Sequence, residues 1–173
     1  PREINELDAA SGQILFTQNC SGCHGTYGEN ESYPNVLVNV EYLGTDPLLS
    51  ESAFNAKLEF FDWYNESFYG ELAHAVPTAG YVAPPLDGVW ATAPYLHNGA
   101  IPTLLGVIMP DQRPAFWSRD YTDYIIDEVE GGLIYSEEPV GHAEILSAGL
   151  RAQVYDTTLK GYSNSGHNFG EHL

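Results

Sequence analysis

The chain has 173 residues, 43% hydrophobic and 13% aromatic, enough for a core and too rich in Tyr, Phe and Trp for a disordered segment. Its 24 acidic against 6 basic residues give a formal net charge of −18, which argues against nucleic acid and anionic membrane surfaces as partners. Such a charge serves solubility or docking to a basic protein patch, and no apolar run reaches membrane-spanning length.

Taken in chain order, the opening PREINELDAASG reads as a linker end. Residues 1–6 are its last part, and the chain reads as a processed piece of a longer exported precursor. A single domain is expected over 1–173. The stretch LDAASGQILFTQNC predicts a helix capped by Asp8 or Ser11, with Leu7, Ala10, Ile14 and Thr17 on one face. A second helix is expected over LSESAFNAKLEFFDWYNES, started by Ser50 or Ser52, with Phe54, Leu58 and Phe61 packed in the core. From Gly70 to Pro114, Pro and Gly interrupt regular structure while Trp, Tyr, Leu and Val keep the segment apolar. An ordered loop that wraps something is expected there, then a short helix from Thr103 to Pro110. DYTDYIIDEVEGG reads as a short strand or hairpin, and TTLKGYSNSGHNFGEHL as a polar, Gly-rich loop.

The two cysteines of the chain stand in NCSGCHGTYG, as Cys20-x-x-Cys23-His24. This pattern reads as c-type haem attachment: two thiols three positions apart form thioethers to one porphyrin edge, and the next residue, His24, presents its imidazole to the iron. A thioredoxin-like dithiol needs a preceding buried strand, a structural zinc site needs four ligands, and a Cys20–Cys23 disulfide closes only a tiny loop. The reading is one covalent haem c, attached outside the cytoplasm, in a periplasmic or extracellular protein. The other face of the iron is either filled, giving an electron carrier, or open, giving a site for oxygen or peroxide. His74, His97, His142, His167, His172 and Met109 are the candidates for it. Haem propionates need donors, and Arg113, Trp90, Trp117 and Arg119 are of suitable type, with Trp90 equally suited to the core.

Three blocks, CSGCHG, PLDGVWATAPYLHNGAIPTLLGVIMPDQRP and YDTTLKGYSNSGHNFG, occur in an order that resembles the di-haem cytochrome c peroxidase superfamily. The resemblance is closest to the rubber-oxygenase-like branch, and to its last haem module. It implies a bis-histidine haem with His24 proximal and His167 distal, and a role for His97 in lining the haem region. Met109 lies near the methionine ligand of the wider superfamily, at a slightly different spacing from PYLHNG. Enzymatic relatives carry a second haem with an open iron, whereas this chain has one C-x-x-C-H and stops at GEHL, before the closing helix usual in the resembling proteins.

These readings give three expectations. The fold is mainly α, cytochrome c-like, with long ordered Pro/Gly-rich loops and one small β-hairpin. The function is electron transfer by a low-spin haem, as a monomer serving a redox partner such as an exported oxidase. The alternatives are a peroxidase- or oxygenase-like haem with an open or displaceable sixth position, and a thiol-redox or metal-binding domain.

Overall fold

A computed structural model describes residues 4–55, 59–122, 125–171 and 173. The architecture corrects the mainly α expectation. Only 34% of the chain is helical, and 14% is strand, divided among three small sheets. The reason is local: Gly and Pro cut the helical runs short, and stretches of two or three residues pair in between, below the length at which periodicity can be read.

The longest helix, α1 (Glu6–Asn19), is capped by Asn5 rather than Asp8 or Ser11; the Asn5 side chain accepts from the Leu7 and Asp8 amides. It buries no residue, and Leu7 and Ile14 of the expected apolar face are exposed. After Cys20 a single turn, α2 (Ser21–His24), continues and stops at Gly25 with φ +83°. Strand β1 (Leu37–Asn39) pairs antiparallel with β2 (Gly80–Val82), Val38 opposite Tyr81. One turn, α3 (Val40–Leu43), follows and ends at the left-handed Gly44.

The expected second helix is observed as α4 (Leu48–Asn55) and α5 (Glu59–Glu66); Leu58 lies outside the described residues. Asp46, not Ser50 or Ser52, meets the first amide of α4, accepting from Leu48 N–H at 2.9 Å. The aromatic residues here are not core. Phe54, Phe60 and Trp63 are each more than half exposed, and Phe61 is half-buried. Their rings pack on one another, Phe60 on Trp63 and Tyr64 on Tyr69, because the buried core lies elsewhere.

That core comes from the Pro/Gly-rich loop. Four of the six buried hydrophobic residues among those described, Ala83, Tyr95, Ala100 and Ile101, belong to it. The loop leads into α6 (Leu104–Ile108), capped by the Thr103 hydroxyl on Gly106 N–H. Trp117, in β3 (Phe116–Ser118), stacks on Tyr155 at 5.2 Å and donates to the Ala100 carbonyl. β3 lies between β6 (Ser136–Glu137) and β7 (Val154–Asp156), while β4 (Ile126–Asp127) and β5 (Gly132–Leu133) form a hairpin of their own. A last turn, α7 (Ala148–Arg151), leads into β7. Beyond β7 the chain runs without helix or strand through 157–171.

The accessible surface is 11862 Å², against about 8,400 Å² expected for a compact 19.0 kDa monomer. The chain alone therefore leaves much apolar surface uncovered. No helix among the described residues is long and apolar enough to cross a membrane.

Candidate functional site

Cys20 closes α1, and its carbonyl accepts from both Cys23 N–H and His24 N–H, so the three motif residues are held in one helical turn. Neither thiol is in a disulfide. Burial, followed by the neighbouring Cys23, pushes the Cys20 thiol up from its ordinary value. That is opposite to the activated thiolate of a redox dithiol.

His24 is oriented from outside its own turn. Its Nδ1 lies 2.7 Å from the Pro84 carbonyl; with Nδ1 as the donor, Nε2 carries the lone pair and is the ligating nitrogen. Tyr27 braces this arrangement by accepting from Leu86 N–H at 2.6 Å and donating to the His24 carbonyl at 3.2 Å. Gly25 is required where it stands: φ is +83°, and a Cβ would collide with the Ser32 carbonyl.

Facing His24 is His167. The ring centroids are 6.1 Å apart and the planes are inclined by 61°. Two imidazoles bound trans to one metal, with metal–nitrogen bonds of about 2.0–2.1 Å, have centroids about 6.3 Å apart, so the observed gap fits one iron. His167 Nδ1 is buried without a hydrogen-bond partner. Burial, with the His24 imidazole next, holds His167 below the ordinary histidine pKa and so favours the neutral, lone-pair-bearing form.

His167 sits on a backbone platform made by the α3 corner. Its N–H donates to the Leu43 carbonyl at 2.8 Å, and its φ is +53°, in the left-handed region. Gly166 before it (φ +82°) lies against Gly44 and Thr45. Ser163 N–H donates to Asp46 Oδ2, and Asn98 Nδ2 donates to the Gly161 and Ser163 carbonyls. The segment 161–167 is thus a strap tied at several points across the site.

The other residues singled out in the sequence fall elsewhere. His97 stacks on Tyr81 at 4.2 Å, beside Asp46, and burial lowers its pKa. His142 contacts the Val154 carbonyl through Nε2 at 2.8 Å, His74 lies on an exposed loop, and His172 is outside the described residues. Met109 ends α6 with 45% of its surface exposed. Trp90 is exposed, Trp117 belongs to the core, and Arg119 lies over the Tyr121 ring at 4.6 Å. Arg113 spends its donors on four backbone carbonyls. Sequence reading missed Pro84, Tyr27, Leu43 and Gly44. It also missed two buried hydroxyls without partners, Thr45 Oγ1 and Ser50 Oγ. Of these, only Gly44 leaves a sequence signal, a glycine just past a helical turn.

Among the described residues, no three His, Cys, Asp or Glu side chains cluster to hold a metal ion by themselves. C-x-x-C-H is the attachment pattern of c-type haem, and here a second imidazole faces its histidine. Residues 80–118 match the family model described as RoxA-like, cytochrome c-like, in agreement with the resemblance carried by PLDGVWATAPYLHNG, and such a family implies haem c. The chain is 30% identical to the uncharacterized protein y4iM of Sinorhizobium fredii, an alignment covering 97% of this chain and 42% of that protein. It is also 28% identical to the uncharacterized protein y4iJ of the same organism, over 94% of this chain and 34% of the relative. The chain therefore spans less than half the length of either relative.

Proposed function

We propose that residues 1–173 form a single mono-haem c domain that carries one electron at a time outside the cytoplasm. The observation that carries this reading is the His24–His167 pair, 6.1 Å apart, with His24 already oriented by the Pro84 carbonyl. Cys20 and Cys23 would hold the porphyrin through thioethers, and His24 and His167 would hold the iron from its two faces. When bound, haem c supplies an Fe(III)/Fe(II) couple, which two nitrogen ligands set lower than a His/Met pair would.

The chain's own contribution is orientation and exclusion. Tyr27 and Pro84 fix the proximal imidazole, and the strap presents the distal one neutral. The 24 acidic residues support docking to a basic patch on a redox partner, for which an exported oxidase is the proposal. The test is to express the domain with haem maturation in the periplasm. One haem should survive denaturation in the wild type and be lost in the Cys20→Ser/Cys23→Ser double variant. The reduced protein should pass electrons to a basic, co-secreted oxidase at a rate that falls as salt rises. A colourless protein, or a reduced protein inert toward every such oxidase, would overturn the corresponding part of the reading.

A further inference from the structure

The Arg113 guanidinium donates to four backbone carbonyls. Its Nε donates to the Gly106 carbonyl at 2.8 Å, and Nη2 donates to the Val107 carbonyl at 3.2 Å, both in α6. Its Nη1 donates to the carbonyls of Asn164 at 2.7 Å and Gly166 at 2.8 Å. Asn164 returns the tie, donating from Nδ2 to the Pro114 carbonyl at 2.9 Å. One side chain thereby joins α6, the 113–114 backbone and the strap, and its last bond ends on the residue immediately before His167.

We propose that Arg113 is a positioning residue that fixes the sixth ligand, acting through the strap and not by touching iron. The inference rests on the reading of His167 as that ligand. The strap has no regular secondary structure, and Gly166 and His167 both have positive φ, so its carbonyls lack ladder partners and must find donors elsewhere. A planar guanidinium reaches four carbonyls at once because its five N–H groups form a rigid fork. Lysine has the charge but only a single point of three donors, so it does not replace the fork. Loosening Arg113 therefore frees His167 from the iron position while Cys20, Cys23 and His24, which Arg113 does not contact, keep their places.

The experiment compares haem-loaded wild type, His167→Ala, Arg113→Lys and Arg113→Gln, each reduced and mixed with carbon monoxide. Leu133→Ala, in the buried core at β5, serves as a destabilised control away from the strap. Expected are a high-spin fraction and carbon monoxide binding at least ten times faster than wild type in His167→Ala and in both Arg113 variants, about tenfold corresponding to 1.4 kcal/mol of strap opening. Both Arg113 variants should shift the reduction potential, keep wild-type haem content and circular dichroism, and show no rescue by lysine; Leu133→Ala should bind as slowly as wild type. If His167→Ala stays low-spin and silent to carbon monoxide, the distal-ligand reading falls and this inference with it. If His167→Ala opens the site but folded Arg113 variants remain closed with an unchanged potential, the inference alone falls. Should the Arg113 variants not fold, the reduced wild type decides: its Arg113 N–H protons should give separate, slowly exchanging magnetic-resonance signals, and a freely rotating guanidinium would overturn the proposal.

Discussion

Replacing Gly166 by alanine attacks the strap where it lies closest to its platform. A Cβ at this position comes within 2.6 Å of the Gly44 carbonyl oxygen, and closer still to the Thr45 amide nitrogen, so two backbone segments must part. An alanine at φ +82° costs about 1–2 kcal/mol in the left-handed region. Displacing the strap also breaks the His167 N–H bond to the Leu43 carbonyl, a net loss of about 1 kcal/mol. Together these make about 2–3 kcal/mol, or roughly a 30- to 150-fold rise in the population with the strap lifted. The assay is stopped-flow carbon monoxide binding to the reduced protein, whose rate follows that population. Gly12→Ala is the control: nothing lies within 4 Å of its Cβ, and it sits in α1, where alanine is favoured by about 0.5–1 kcal/mol. A Gly166→Ala protein that binds carbon monoxide at the wild-type rate, with Gly12→Ala behaving the same, would refute the argument that this contact holds His167 in place.

Other perturbations follow from the same geometry. His97 has a folded pKa below its ordinary 6.5, first because of burial and against the pull of Asp46, so the unfolded chain binds more protons in that window. Stability should therefore fall as pH drops from about 6.5 toward the depressed value, more steeply than in His97→Phe; urea midpoints at pH 7.5 and 5.5 check this, and a wild-type slope no steeper than the variant's contradicts it. Tyr155, pushed up to about 12 mainly by burial and donating to the Asn98 carbonyl at 2.8 Å, should lose about 1–3 kcal/mol on Tyr155→Phe, read as a lowered thermal midpoint. Ile101, fully buried in the core, should cost about 2–5 kcal/mol as Ile101→Ala, whereas Leu146→Ala, at a residue 94% exposed, should cost almost nothing by urea denaturation.

The C-x-x-C-H turn is legible because its pattern is local. Thioether attachment and ligation need Cys20, Cys23 and His24 within one turn, and a turn is visible in five consecutive letters. The helix begun by Thr103 is legible for the same reason, since cap, apolar run and Pro110 are adjacent. The distal half is not local. His167 faces His24 from the far end of the chain, with its N–H on the Leu43 carbonyl, and only the family resemblance pointed to it. Pro84 acts through a carbonyl, which every residue has, so no side-chain pattern marks it. The mainly α expectation failed for a related reason: the strands are two or three residues long, and VLVNV at 36–40 alternates too briefly to outweigh its helical surroundings. Phe54 and Phe61 have the expected helical spacing, yet Phe54 is exposed and Phe61 only half-buried, since periodicity reports a shared face and not what covers it.

The most direct measurement is the optical and electron-paramagnetic spectrum of the haem-loaded protein, oxidised and reduced, with and without carbon monoxide. Expected is a low-spin haem with no methionine charge-transfer band and only slow carbon monoxide binding, limited by lifting of the strap. A high-spin resting haem, or one that binds carbon monoxide at once, would mean that His167 does not hold the iron, and would favour a peroxidase- or oxygenase-like site with an open sixth position.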